Sequence, residues 1–269
     1  MAKDYEKVFQ MIKPKVAILV VDGINCDQET VVAFQLAGGN PQKVHLNQLL
    51  QKKISLDDFQ ILVIPGGFSY GDDILSAKVF ANQLLCRLRE RIEKFIAEKK
   101  LVMGICNGFQ VLLRMGILPW KMQPAEDCSL VFNQVGHFEC RWIKLKINLT
   151  ESVFTRGLEG GVMELPVAHG EGQLIFKNQE KLKTLKKEKL AVFQYCDEDG
   201  KIAEDFPFNP NGSIESIAGM CDLSGRILGM MPHPERFVLK TQHPNWRRKE
   251  EQFIPHGLAI FQNAVDYFL

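Results

Sequence analysis

Leu101-Val102-Met103-Gly104-Ile105-Cys106-Asn107-Gly108-Phe109-Gln110 is the stretch whose reading decides the fold. An apolar run that ends in a glycine-flanked cysteine and gives way to helical spacing predicts a strand, a sharp turn and a helix. That is the context of a nucleophile elbow with Cys in place of Ser. Gly104 and Gly108, lacking Cβ atoms, permit the tight turn and a close helix-to-strand approach, while the central side chain is held strained and exposed. At a helix N-terminus the thiol meets unpaired N–H groups and the positive end of the dipole, both of which favour the thiolate.

Upstream of the elbow the pattern alternates. A strand is predicted at 15–21, a helix at 27–38, strands near Val44 and at 60–64, a long helix at 76–99, and the strand at 101–105. Such βαβα order implies a parallel sheet covered by helices. Downstream the chain turns β-rich, with strands expected at 138–147, 162–168, 190–195, 213–221 and 226–231, and a closing helix at 257–269. The fold class is therefore α/β, a parallel core with an added mixed β segment. The longest loop-like stretches, 197–212 and 241–255, read as excursions from one body. The chain is read as a single domain over 1–269, with 1–14 as an N-terminal extension. In open α/β sheets ligands bind beyond the carboxyl ends of the strands, so the chemistry is sought in the loops at 22–27, 65–73 and 104–108.

Two further motifs supply partners for Cys106. Ile64-Pro65-Gly66-Gly67-Phe68 closes an apolar strand with a glycine pair that can present a backbone N–H to an oxyanion. In Met231-Pro232-His233-Pro234-Glu235-Arg236 two prolines stiffen the chain around His233, and Glu235 is close enough to orient the imidazole. Together these provide nucleophile, oxyanion donor, base and orienter. Asp72 and Asp73 are two adjacent acids without a third ligand, so no metal is expected. Cys26 is read as a packing residue.

Composition narrows the partners. The 269 residues are 46% hydrophobic and 24% charged, with a net charge of +1, which provides no field for nucleic acid or an acidic membrane. The basic run at 181–189 is interrupted by Glu188, lacks aromatics, and is expected to be a solvated face. The amino terminus has no secretory pattern and no apolar run reaches the length of a membrane span, so a cytoplasmic location is expected. Seven cysteines without CxxC spacing suggest reduced thiols.

With GICNG as elbow and HPE as the His and Glu, the chain resembles the class I (triad) glutamine amidotransferases. Within that family, IPGGFSYGDD, AHGEG and GRILGMMPHPERF make it similar to the glutaminase subunits that serve an ATP-using synthase of purine biosynthesis. The resemblance runs from about Lys15 to the carboxyl end and implies a flavodoxin-like fold. It further implies Cys106 as nucleophile toward the side-chain amide of L-glutamine, His233 as proton carrier, and Glu235 as its orienter. Gly67 and Asn107 would be the oxyanion-hole amides, and Gln110, His169 and Glu171 substrate contacts. No cofactor is expected on this chain. ATP and Mg are implied for a large synthase subunit, which is often accompanied by a small third subunit. Trp246, Arg247 and Arg248 in the 241–255 excursion are the expected docking anchors. Two other readings use the same residues: a stand-alone γ-glutamyl hydrolase, and a non-catalytic redox-sensing protein in which Cys106 oxidises.

Overall fold

The apolar runs of the first third become parallel strands in the computed structural model of the protein, which describes residues 13–120, 127–248 and 254–269. β1 (Lys15–Val20), β2 (Asn40–His45), β3 (Ile61–Ile64) and β4 (Leu101–Ile105) pair in the order β2-β1-β3-β4. β3 and β4 are buried at every position, as strands covered on both faces are. The other neighbour of β4 is β11 (Ile227–Met230), which arrives from the far end of the sequence and also runs parallel, with Gly104 opposite Gly229 and Ile105 opposite Met230. The order β2-β1-β3-β4-β11 is the flavodoxin-like one, and it reverses direction at β1/β3, where such sheets open a crevice.

The added β segment extends this same sheet. From β11 the order continues through β10 (Ile217–Cys221), β9 (Ala191–Cys196), β6 (Glu139–Ile147) and β7 (Val162–His169), all antiparallel, giving nine strands. A separate pair, β5 (Cys128–Val131) and β8 (Gln173–Phe176), lies outside it. The strand expected from residue 213 starts only at Ile217, because Glu215 and Ser216 turn the chain with φ of 52° and 54°.

Six helices are described: α1 (Asp27–Leu36), α2 (Leu46–Leu50), α3 (Lys78–Ala97), α4 (Asn107–Arg114), α5 (Gln179–Lys187) and α6 (His256–Asp266). α3 buries Phe80, Leu84, Leu88, Ile92 and Phe95, one face at helical spacing. It begins two residues later than expected. Asp72 accepts from Ser76 Oγ (3.1 Å) and the Ala77 amide (3.2 Å), and Ala77 itself sits at φ 64°, so the turn at 72–77 is held out of the helix. α6 packs on α1, with the rings of Phe261 and Phe34 edge to face at 5.0 Å. In α5, Leu182 and Leu185 are buried, while Lys181 and Lys186 pair with Asp127 and Glu215, so the basic run is a solvated helix face.

No helix among the described residues is long and apolar enough to cross a membrane. Residues 1–12 of the expected N-terminal extension, and 249–253 of the 241–255 excursion, lie outside the described residues. In the described part of that excursion Arg247 stacks over the half-buried Trp246 ring at 5.1 Å, and Arg247 and Arg248 are exposed.

Candidate active site

Cys106 is the residue between β4 and α4, at φ 52° and ψ −105°, a conformation that L-residues rarely adopt. The surroundings enforce it. The Cys106 amide donates to the Met230 carbonyl of neighbouring β11 at 2.7 Å, and a Cβ on Gly108 would fall inside the carbonyl of Ile64, so the helix can approach β3 only with glycine there. Cys106 is therefore strained as expected. It differs from expectation in exposure: the side chain is buried, at the wall of a cavity of about 260 Å³ that opens to the surface.

His233 follows β11, so nucleophile and imidazole candidates leave the carboxyl ends of adjacent parallel strands although they are far apart in sequence. The His233 amide is fixed to the Pro166 carbonyl at 2.9 Å, and Nδ1 lies 2.6 Å from Glu235 Oε1. Both side chains are buried. With its Nδ1 hydrogen donated to the carboxylate, His233 keeps Nε2 for the cavity, where it has no hydrogen-bond partner. Burial works to lower the pKa of His233. The Glu235 carboxylate, then the Cys106 thiol, outweigh it and hold the group well above the usual imidazole range.

The loops after β1 and β3 meet beside these groups. Asn25 and Cys26 amides both donate to the Gly66 carbonyl (3.4 and 3.2 Å), and the Phe68 amide to the Gly23 carbonyl (2.9 Å), so Ile24 and Gly67 face each other as a non-hydrogen-bonded antiparallel pair. In such a pair the ladder does not use the central residue's own N–H. That leaves the Gly67 amide available on the cavity wall, and Gly67 has φ 148° with Ile24 packed where a Cβ would stand. Asn107, the first residue of α4, offers a second N–H at the helix start.

Gln110, His169 and Glu171 all line the cavity. The Gln110 amide bridges two elements: its Oε1 accepts from Asn107 Nδ2 (3.0 Å) and its Nε2 donates to the Glu171 carbonyl (2.7 Å). Asp72 accepts from Asn107 Nδ2 at 3.2 Å as well as capping the turn before α3, so it organises the loop. The cavity has liners that the sequence reading did not single out: Asn25, Phe68, Phe132, Phe138 and Arg236. Cys26 is buried, as a packing residue is, but it is also part of the wall. Its Sγ accepts from Arg236 Nη2 at 3.0 Å and stands 3.9 Å from His233 Nδ1. The available signal was its place in the loop after β1, one of the three loops already marked.

Cys26, His233 and Glu235 are clustered closely enough to invite a metal. The geometry suits a proton better. A tetrahedral ion holds ligand atoms about 3.3 Å apart, whereas Nδ1 and Oε1 are at 2.6 Å, and the Arg236 cation touches the sulfur. What the cavity offers chemically is a thiol at a helix start, an imidazole charged by a buried carboxylate, and the Gly67 backbone on its wall; Asn107 adjoins Cys106 but is not one of the lining residues.

The CobB/CobQ-like glutamine amidotransferase domain model matches residues 13–268. The chain is 45% identical to phosphoribosylformylglycinamidine synthase subunit PurQ of Dehalococcoides mccartyi over 96% of this chain and 98% of that one. It is 42% identical to the subunit of the same name from Methanococcus maripaludis, over 96% and 99%. Among solved structures, PurLQS from Thermotoga maritima superposes with a TM-score of 0.72 at 30% identity, covering 96% of this chain and all of that one.

Proposed function

The chain belongs to the CobB/CobQ-like glutamine amidotransferase family, and from that premise we propose that it is the glutaminase subunit of phosphoribosylformylglycinamidine synthase. It hydrolyses L-glutamine to glutamate and ammonia. The ammonia serves conversion of formylglycinamide ribonucleotide to formylglycinamidine ribonucleotide in purine biosynthesis. The observation that carries the reading is the strained Cys106 at the start of α4, set beside a His233–Glu235 pair that leaves the adjacent strand.

In this mechanism Cys106 passes its thiol proton to His233 Nε2, and the thiolate attacks the side-chain carbonyl carbon of glutamine. The oxyanion that forms takes hydrogen bonds from the Gly67 and Asn107 amides. The C–N bond breaks as His233 gives its Nε2 proton to the nitrogen, releasing ammonia and leaving a thioester on Cys106. His233, now neutral at Nε2, takes a proton from water, which attacks the thioester and releases glutamate and the thiol. Glu235 keeps its negative charge throughout and stabilises the imidazolium. Gln110, His169 and Glu171 hold the substrate.

The partner is the large synthase subunit, with a small third subunit, as the three letters of the PurLQS assembly support. ATP and Mg act on that partner, because this sequence has no GxxxxGK[ST] loop with which to activate an acceptor. The test is Cys106→Ala in the assembled complex. Glutamine-dependent synthesis should disappear and ammonia-dependent synthesis should persist, and glutamine-dependent turnover in that variant would overturn the assignment.

A further inference from the structure

A second cavity, of about 140 Å³, has Gln110 as a wall in common with the first and is otherwise lined by Lys78 and Asn82 of α3, Arg114 of α4, and Cys128 and Ser129 of β5 together with leucines. No carboxylate lines it, and burial pushes the Cys128 thiol up to about 12, so that group stays neutral. Arg114 donates its Nε hydrogen to the Ser76 carbonyl at 2.6 Å. Among the described residues this is the one side-chain bond it makes, which leaves the Nη groups of a half-buried guanidinium without an acceptor. Burial lowers the Arg114 pKa, and Glu171 and Asp72, which line the first cavity, offset this only in part. Lys78 and Asn82 stand one turn apart at the start of α3, where no side chain caps the helix and the positive end of its dipole lies.

Two cations, an amide and a hydroxyl around a small space without an acid make a site for a compact oxyanion. Charge selects its class. A phosphate monoester carries about −1.5 to −2 at pH 7, which matches two cations, whereas a carboxylate carries a single charge. The Arg fork meets two phosphate oxygens at once and the Lys ammonium adds a point charge. We propose that this cavity binds a phosphate group, either inorganic phosphate or that of a sugar phosphate, and that its occupancy is passed to the glutamine cavity through Arg114. The path is short. Ser76, whose carbonyl holds Arg114, lines the first cavity and donates its hydroxyl hydrogen to Asp72 (3.1 Å); Asp72 accepts from Asn107 Nδ2 (3.2 Å), and Asn107 adjoins Cys106. An anion that draws the guanidinium toward Lys78 lengthens the bond to Ser76 and loosens the turn at 72–77. Binding stands on this cavity alone, and the coupling rests on the glutaminase reading.

The test is a titration of the full chain with inorganic phosphate and with ribose 5-phosphate at constant ionic strength, read by amide and arginine side-chain NMR shifts. Saturable shifts are expected at residues 78–82, 114 and 128–130, with a midpoint below about 10 mM. The tighter of the two ligands identifies the source of the phosphate. Lys78→Glu and Arg114→Gln should each weaken binding about tenfold or more. Lys78 is exposed, so its variant carries the test if Arg114→Gln does not fold. In the complex, saturating ligand should lower kcat/KM for glutamine hydrolysis about fivefold, and Lys78→Glu should remove that response. No saturable shift, shifts confined to the cavity around Cys106, or unchanged binding in Lys78→Glu would overturn the site. Glutamine kinetics that ignore a ligand shown to bind would overturn the coupling. The glutaminase reading fails separately, through activity surviving Cys106→Ala, which leaves the binding measurement intact.

Discussion

His233 is buried as deeply as His169, yet the two rings are driven in opposite directions, and the difference is one carboxylate. Glu235 at 2.6 Å outweighs burial for His233, whereas His169 has a neutral amide at 3.1 Å and two cations nearby. Glu235→Gln should therefore bring the His233 titration down, observable by NMR. It should also leave a measurable remnant of glutaminase activity, since the orienter does not take the proton, while His233→Ala should leave none. Equal and complete loss in both would mean the carboxylate is needed to assemble the site. The linkage signs also differ. Folding raises the His233 pKa, so its contribution to stability is fully present below about pH 6.5 and is lost as pH rises through the folded value. Folding lowers the His169 pKa to about 3, so between the two values the unfolded chain binds the extra proton and stability falls with acidification. His169→Gln should flatten that acid limb of a Tm-versus-pH curve. Cys26→Ala, which a packing role alone would make nearly silent, removes the acceptor of Arg236 Nη2 and a wall atom beside His233. It should slow turnover a few-fold, and Cys26→Ser should restore most of it.

At the scale of elements, the elbow is made by three glycine-dependent approaches. Gly104 and Gly108 let α4 lie against β4 and β3, and Gly66 admits the His233 ring, whose Cε1 is 2.8 Å from where a Cβ would stand. Gly108→Ala would drive a methyl into the Ile64 carbonyl and should cost about 3 kcal/mol or more, read as a fall in Tm together with loss of Cys106 labelling by a glutamine-like diazoketone. Gly160→Ala serves as the comparison. Gly160 also has positive φ (78°) but open space around it, so only backbone strain of roughly 1–2 kcal/mol is expected, with labelling unchanged. Similar losses of labelling in both would argue that the elbow does not depend on this packing. The turn at 68–77 adds to the element-scale picture, with Tyr70, Asp72 and Ala77 all at positive φ, Phe68 exposed where it lines the cavity, and Ile74 and Leu75 exposed further along the turn.

For the whole molecule the expectation is dependence on a partner. A glutaminase that ran continuously would waste glutamine, and the Gly67 peptide, whose N–H the bridge to Ile24 does not use, is the part of the proposed oxyanion site that docking can complete. The isolated chain should be slow in a glutaminase assay and should accelerate when the synthase subunit and its nucleotide ligands are added. Full activity alone would remove the idea. Trp246→Ala with Arg247→Ala removes a stacked aromatic and Arg pair from the surface. It should weaken complex formation in a sedimentation experiment while Cys106 stays reactive to a small alkylating agent, and unchanged association would place the interface elsewhere.

The sequence by itself determined the parallel core, because apolar runs such as ILVI and LVMGI have no alternative to burial. It also determined the elbow, because GICNG admits few backbone paths. The Cys106, His233 and Glu235 set was legible for the same reason: each lies in a motif whose glycines or prolines restrict the chain. Short elements were not legible. α2 has five residues and β5 and β8 four each, too few for a period to show, and their pairing depends on distant strands. The charge run at 181–189 concealed α5, whose two buried leucines are visible only against the sheet. That the added β segment continues the central sheet was decided by β11, which takes the fifth parallel position and lets β10 begin the antiparallel half. Tertiary structure alone brought Cys26 and Arg236 to the cavity wall and set Asn133 against His169, because those contacts join loops that local spacing does not relate. Local conformation is written in neighbouring residues, but the protonation state of a buried side chain depends on whatever the fold places next to it.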